Sequence, residues 1–205
     1  MTLAGDSILV TPGVGATVAT HTVSGKEHQV VMIAGPDGHL NDTQPTYYYY
    51  TGLAAGAQNQ RLIDLFNAAS SGVLVKVKKL FMQCNQAAIT GVGLQYDVIR
   101  TSAVGTSGTT ITGRPADTTN AAIPAQVTAR RGATGGATES HILFPLGVDP
   151  EETRPSAGLM GMINWMPEAP NLQELVLREG EGILVKQITN NTAGIMGCIL
   201  VVTMV

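Results

Sequence analysis

The chain has 205 residues, of which 44% are hydrophobic and only 13% charged, with a net charge of −3 at pH 7. This length suits one good-sized domain with an appended segment. The negative charge argues against nucleic-acid binding, and the basic clusters at residues 76–79 and 130–131 are interpreted as solvated strand and loop faces. A solitary soluble domain normally carries more charge, so the low charged fraction predicts that much of the surface is buried against other molecules in the working assembly.

Residues 1–50 are rich in turn signals. The sequence Gly-Pro-Asp-Gly at 35–38 places proline and glycine where a type I turn prefers them, and residues 29–33 are predicted to form a short strand. The first ten residues lack the pattern of a secretory signal peptide, which predicts synthesis and assembly in the cytoplasm of the host cell. We predict an N-terminal arm or small subdomain at 1–50 and one β-domain at 51–205.

From residue 61 onward, short apolar runs alternate with turn signals and show no sustained helical period. In the run 73–82, consecutive Lys78 and Lys79 interrupt the alternation as a β-bulge would. Residues 62–66 are predicted as a strand or a single helical turn. The pattern predicts an all-β fold, an antiparallel β-sandwich that is jelly-roll-like, with a loop-rich N-terminal arm. Further strands are predicted at 94–99, 122–129, 138–144, 172–177, 182–188 and 195–205.

The final run, residues 195–205, is apolar on both alternating faces. It is too short for a membrane helix, which needs roughly 20 apolar residues, so no membrane partner is predicted. A strand without a polar face has to be buried on both faces. We expect the protein's own core to bury one face and a second copy or another protein to bury the other. Ile199 and Val201 are therefore interface candidates. Cys84 and Cys198 are interpreted as buried free thiols, with a disulfide as the alternative if their strands are neighbours.

Aromatic residues supply the other interface candidates. Four tyrosines follow one another, Tyr47, Tyr48, Tyr49 and Tyr50, so a strand here presents two amphipathic rings on each face. Tyrosine is favoured at interfaces, and we predict an interface; in the alternative, one pair packs on the core and the other covers the domain edge. Trp165 lies among methionines in a proline-bounded loop and is either a contact residue or a buried plug.

No candidate catalytic or metal-binding motif has the residue spacing or strand geometry that its chemistry requires. Ser140, His141 and Asp149 are close in sequence, but adjacent strand residues point to opposite faces. His21, His28 and His39 lack compact ligand spacing, so no metal site is predicted. The loops at 101–120 and 132–136 consist mostly of small residues, which favours packing over ligand recognition. The sequence predicts a protein that is not an enzyme and has no cofactor.

Three segments resemble structural proteins of tailed-bacteriophage particles. Residues 15–38 resemble an N-terminal segment common in such proteins, and residues 65–80 resemble the strand–turn–strand unit that often follows. Residues 175–187 are similar to the penultimate hairpin of jelly-roll virion proteins, in which a Gly-Glu-Gly turn joins two apolar strands. Together these segments cover about half of the chain.

This resemblance is closest to capsid decoration, or cement, proteins, and it implies a virion protein on the outer capsid surface with the major capsid protein as partner. We predict a homo-oligomer with the C-terminal strand near its contact. By analogy a trimer fits the three-fold positions of an icosahedral lattice, and a dimer, which would also cover an apolar strand, is the alternative. Head-fibre bases and tail-associated receptor- or glycan-binding modules are the alternative. The resemblance supplies no catalytic residues.

Overall fold

The computed structural model describes residues 18–23, 26–31, 44–84, 93–148, 158–164, 174–190 and 195–205. The chain forms two compact units, Met1–Thr43 and Gln44–Val205. The described residues contain strands and no helix, and so no helix among them could cross a membrane. The predicted all-β class is confirmed for these residues.

The strands are, in chain order, β1 (Val18–Val23), β2 (Lys26–Val31), β3 (Thr46–Tyr50), β4 (Ala54–Ala55), β5 (Arg61–Asn67), β6 (Val75–Cys84), β7 (Leu94–Thr101), β8 (Thr109–Ile111), β9 (Arg114–Pro115), β10 (Val127–Arg131), β11 (Glu139–Val148), β12 (Gly158–Asn164), β13 (Leu175–Leu177), β14 (Glu181–Gln187) and β15 (Ile195–Met204).

The first unit contains an antiparallel hairpin of β1 and β2, in which Val18 pairs with Val31 and Val23 with Lys26. The predicted strand at 29–33 therefore begins earlier, at Lys26, and the described part of it ends at Val31.

The second unit is an antiparallel sandwich of two sheets. One sheet has seven strands, with the path β12-β6-β15-β3-β9, while β13 pairs with β6 and β4 with β15. The other has six strands in the order β11-β7-β14-β5-β10-β8. The predicted antiparallel sandwich is confirmed, and the jelly-roll-like connection of its strands stays a prediction.

One hydrophobic core joins the inner faces of the two sheets. Alternate residues of β15, among them Cys198, Leu200 and Val202, belong to this core together with Leu65 of β5 and Tyr96 of β7. The alternation of apolar residues follows from the period of two in a strand. Cys198 is a buried free thiol, as predicted.

The bulge predicted in β6 is confirmed. Val201 of β15 pairs with Lys79 and Val202 pairs with Val77, so Lys78 is the extra residue. The bulge lets both lysines leave the core while Val77 and Leu80 stay fully buried. Lys76 and Lys78 form ion pairs with Glu174, the former at 3.4 Å, so this basic cluster is paired rather than simply solvated.

Two expectations about connections are wrong. The turn at Glu179–Gly180 does not close a hairpin, because β13 pairs with β6 of one sheet while β14 pairs with β5 and β7 of the other. Gly180 has φ +82°, which glycine adopts without strain, and the chain changes sheets there. Residues 46–50 do not belong to the N-terminal segment, because β3 pairs with β15 over five residues.

Candidate interaction surface and edge cleft

Strand β3 divides the four tyrosines into two pairs. Tyr47 and Tyr49 are 3% and 1% exposed and lie in the core, whereas Tyr48 and Tyr50 are 45% and 50% exposed. The hydroxyl of Tyr47 donates a hydrogen bond of 2.6 Å to the carbonyl oxygen of Ala121. The core-packing alternative therefore describes Tyr47 and Tyr49, and only Tyr48 and Tyr50 stay available for an interface.

The remaining interface candidates flank the exposed tyrosines. Ile199 of β15 lies between Tyr50 of β3 and Phe81 of β6, and Val201 lies beside Tyr48. Residues directly opposite each other on neighbouring strands share one face of a sheet. We call these five residues the outer face. Ile199 and Phe81 are partly exposed, but Val201 is only 7% exposed, so it contributes little to any contact. Trp165 lies outside the described residues.

A cleft of about 380 Å³ lies beside Tyr48 and Tyr50, between β3 and β9 of one sheet and β8 and β10 of the other. We call it the edge cleft. Within one sheet, Arg114 of β9 pairs with Tyr48 of β3. Within the other, Thr109 of β8 pairs with Arg131 of β10. An adjoining pocket of about 250 Å³ shares Thr51, Thr109 and Arg131. The cleft is lined chiefly by Tyr48, Tyr50, Thr110, Thr112, Arg114 and Arg131.

Arg131 is held in place by the turn after β3. Its Nη1 donates a hydrogen bond of 2.8 Å to the carbonyl oxygen of Thr51. Gly52 makes room for the guanidinium group, because a Cβ at this position would lie 2.9 Å from Nη1. Gly52 also has φ +69°, a conformation that favours glycine. The guanidinium is thus positioned before any ligand arrives.

Among the described residues, the charged side chains that line the edge cleft are Arg114 and Arg131. No ion pair within 4.0 Å joins either of them to an acidic side chain in this part of the chain. Arg114 is exposed at the edge of the sheet. In a protein with net charge −3, these two arginines give the cleft a local positive charge.

Asp64 is the one fully buried acidic residue among the described residues. It lies on β5 beneath the loops that follow β7 and β10, which Thr106 and Gly135 tie together by a backbone hydrogen bond of 2.7 Å. Burial raises the pKa of Asp64 to about 6, against the smaller opposing effects of Arg61, the Gly105 backbone N–H and Arg130. Nη1 of Arg61 is 4.0 Å from Oδ2.

The Ser140–His141 pair differs from expectation. A bulge between Glu139 and His141 breaks the alternation of β11, and Ser140 Oγ lies 2.9 Å from His141 Nδ1. Both residues are exposed, and Asp149 lies outside the described residues.

The hairpin of the first unit places His21 directly opposite His28, while His39 lies outside the described part. No group of three potential ligands for a metal ion occurs within the described ranges.

Comparisons with protein-family models, with curated proteins and with solved structures found no match to this chain. The edge cleft therefore has to be understood from its own residues. The sequence alone does not indicate the cleft, because Arg131 belongs to a short basic pair typical of a solvated face and the segment around Thr110 consists of small residues typical of packing. The one sequence signal is the pair of tyrosines with the same parity, Tyr48 and Tyr50.

Proposed function

We propose that the protein is a structural component of a bacteriophage particle that binds the outer surface of the capsid and stabilises it. The observation that carries the proposal is the outer face, where Tyr48, Tyr50, Phe81 and Ile199 expose apolar and aromatic surface on neighbouring strands of one sheet. Aromatic residues with few charges are typical of protein interfaces. The resemblance to capsid decoration proteins supports the same function.

The sheet beneath the outer face is well suited to hold a second protein. Leu80, Leu200 and Tyr49 anchor its three strands in the core with at most 1% exposure. A surface whose backbone is already ordered loses little conformational entropy when it binds. A capsid subunit thus gains contact area without ordering this part of the chain.

The proposed partners are the major capsid protein and further copies of this chain, arranged as a homotrimer on the capsid surface of the virion. Three-fold symmetry matches the symmetric positions of an icosahedral shell. No reaction, cofactor, nucleic acid or membrane is part of this function.

A co-sedimentation experiment tests the role of the outer face. Capsids that lack the protein are mixed with wild-type protein or with the variant Ile199→Lys, which places a charge at the centre of the outer face. We expect the variant to lose about tenfold or more in affinity, because an unpaired charge in an interface is costly. Ile142→Lys is the matched control, since Ile142 is 56% exposed on β11 of the other sheet.

Thermal unfolding of both variants checks that they are folded. Equal attachment of Ile199→Lys and wild-type protein would show that the outer face is not the contact surface.

A head-fibre or tail-associated module that recognises glycans is the second candidate function, and the edge cleft is the observation that favours it.

A further inference from the structure

We propose that the edge cleft binds a carboxylate-bearing saccharide, such as an oligosaccharide of uronic or sialic acids. The arginines and threonines of the cleft lie on β8, β9 and β10 at the sandwich edge, outside the outer face, whereas Tyr48 and Tyr50 belong to both surfaces. Saccharide binding is therefore inferred for the free protein, in which both tyrosines are exposed. It would give the protein a second activity, the capture of acidic glycans. Three features of the cleft support it.

The first feature is the pair of tyrosines. Tyr48 and Tyr50 lie two residues apart on one strand and are about half exposed, so their rings form one side of the cleft. A tyrosine ring offers an apolar face to the C–H groups of a sugar and a hydroxyl to its polar groups. Aromatic walls with a few fixed polar groups are typical of small-molecule sites.

The second feature is a row of threonines on and after β8. Thr110 and Thr112 have the same parity, line the cleft and are exposed. Each hydroxyl can donate one hydrogen bond and accept others. This versatility suits the hydroxyls of a sugar, which also donate and accept.

The third feature is the unpaired positive charge. Arg131 is fixed by its hydrogen bond to Thr51, and Arg114 lies beside Tyr48 in the pairing of β9 with β3. Arginine binds carboxylate groups with two parallel hydrogen bonds. Because no carboxylate among the described residues lines the cleft or pairs with these side chains, the ligand is expected to carry one.

The same features argue against other anions. Nucleic-acid binding needs many phosphate contacts, whereas this cleft has two arginines in a protein of net charge −3. A free phosphate would use the arginines but neither the tyrosine rings nor the row of threonines. A charged sugar uses all three.

Titration calorimetry on the full-length protein tests the proposal. The probes are tetrasaccharides of galacturonic acid, mannuronic acid and α2,8-linked sialic acid. The methyl ester of the galacturonic acid tetramer and inorganic phosphate serve as comparison ligands. We expect at least one acidic tetramer to bind at millimolar concentration or below. For the galacturonate tetramer, the ester should bind about tenfold more weakly, because it loses the charge-assisted hydrogen bonds.

Two variants locate the binding. Arg114→Gln and Tyr50→Ser should each weaken binding of the acidic tetramer by about tenfold or more. Arg178→Gln is the matched control, because Arg178 is exposed and does not line the edge cleft, so binding should stay at the wild-type level. Ile199→Lys should also bind the tetramer normally, which separates this site from capsid attachment.

Several results would overturn the proposal. These are no binding of any acidic tetramer, equal binding of acid and ester, or competition by phosphate at equal concentration. Unchanged binding by folded Arg114→Gln and Tyr50→Ser variants would also refute it. Loss of saccharide binding by Arg114→Gln with intact capsid attachment would leave the proposed function standing, because Arg114 lines the cleft and is not part of the outer face.

Discussion

Tyr47 and Tyr49 share the buried face of β3 but differ in what their hydroxyl groups contact. The Tyr47 hydroxyl donates to the carbonyl oxygen of Ala121 at 2.6 Å, whereas the Tyr49 hydroxyl is buried without a hydrogen-bond partner. Burial also raises the pKa of Tyr49. The two tyrosines are both buried, but their hydroxyl groups are expected to contribute differently to the free energy of unfolding.

Replacing each tyrosine with phenylalanine tests this difference. Tyr47→Phe should lower the free energy of unfolding by about 1 kcal/mol, since it removes a hydrogen bond. Tyr49→Phe should leave it unchanged or raise it by about 1 kcal/mol, since it removes an unsatisfied buried hydroxyl. Urea denaturation of the two variants measures both values. An equal loss of stability in Tyr49→Phe would mean that its hydroxyl has a partner.

Asp64 makes stability depend on pH. Its pKa rises from 3.8 to about 6 on folding, so the folded state binds the proton more tightly than the unfolded chain. The stabilisation from its protonated form is complete below pH 3.8 and is lost as the pH rises through about 6. The difference corresponds to roughly 3 kcal/mol.

The variant Asp64→Asn removes this titration. The free energy of unfolding of the variant minus that of wild-type protein should increase by up to about 3 kcal/mol between pH 4 and pH 7. Asp117→Asn is the control, because hydrogen bonds from Thr119 lower the pKa of Asp117; its titration lies below this range, so the corresponding difference should stay nearly constant between pH 4 and pH 7. A pH-independent difference for Asp64→Asn would show that Asp64 is solvated.

At the scale of strands, alternation predicted the elements well where one face packs on the core. Strands β6, β7, β14 and β15 lie where the apolar pattern placed them, and the two lysines of β6 revealed its bulge. Pairing between strands was harder to predict. The turn at Gly180 has the residues of a hairpin, but the choice of sheet depends on contacts with β6 and β5 that are distant in sequence.

The assignment of β3 failed for the same reason. The loop-rich segment before it suggested that the tyrosines close an N-terminal arm. Their actual partner, β15, follows about 150 residues later in the chain. Local composition carries no information about such a pairing, and the boundary between the two units lies at Thr43 and Gln44 instead.

Deletion of residues 1–43 tests whether the sandwich is independent. We expect the remaining chain, which contains both large sheets and their common core, to fold. It should keep its β-type circular dichroism and a cooperative thermal transition. If the N-terminal unit grips the capsid, as an arm would, the truncated protein should also attach to capsids more weakly. A truncated chain that fails to fold would show that the first unit contributes to the sandwich.

At the scale of the whole molecule, the edge cleft shows what the sequence could not predict. Arg114, Arg131 and Tyr48 come from three separated segments, and only the folding of two sheets over one core brings them together. The segment 101–120, which was expected to be a loop, contains β8 and β9, and Arg114 lies on β9 within it. Arg131 is the last residue of β10, directly before the segment 132–136. The sandwich class, by contrast, follows from periodicity along the whole chain.

The position of the protein on an intact particle tests the central claim most directly. Electron cryomicroscopy of the virions at subunit resolution should show sandwich-shaped density on the outer capsid surface, in groups of three, with the strand β15 side turned toward the shell. Complete occupancy of one class of lattice position is the expected result. Density confined to the tail tip or to fibres, with a bare capsid surface, would contradict the account.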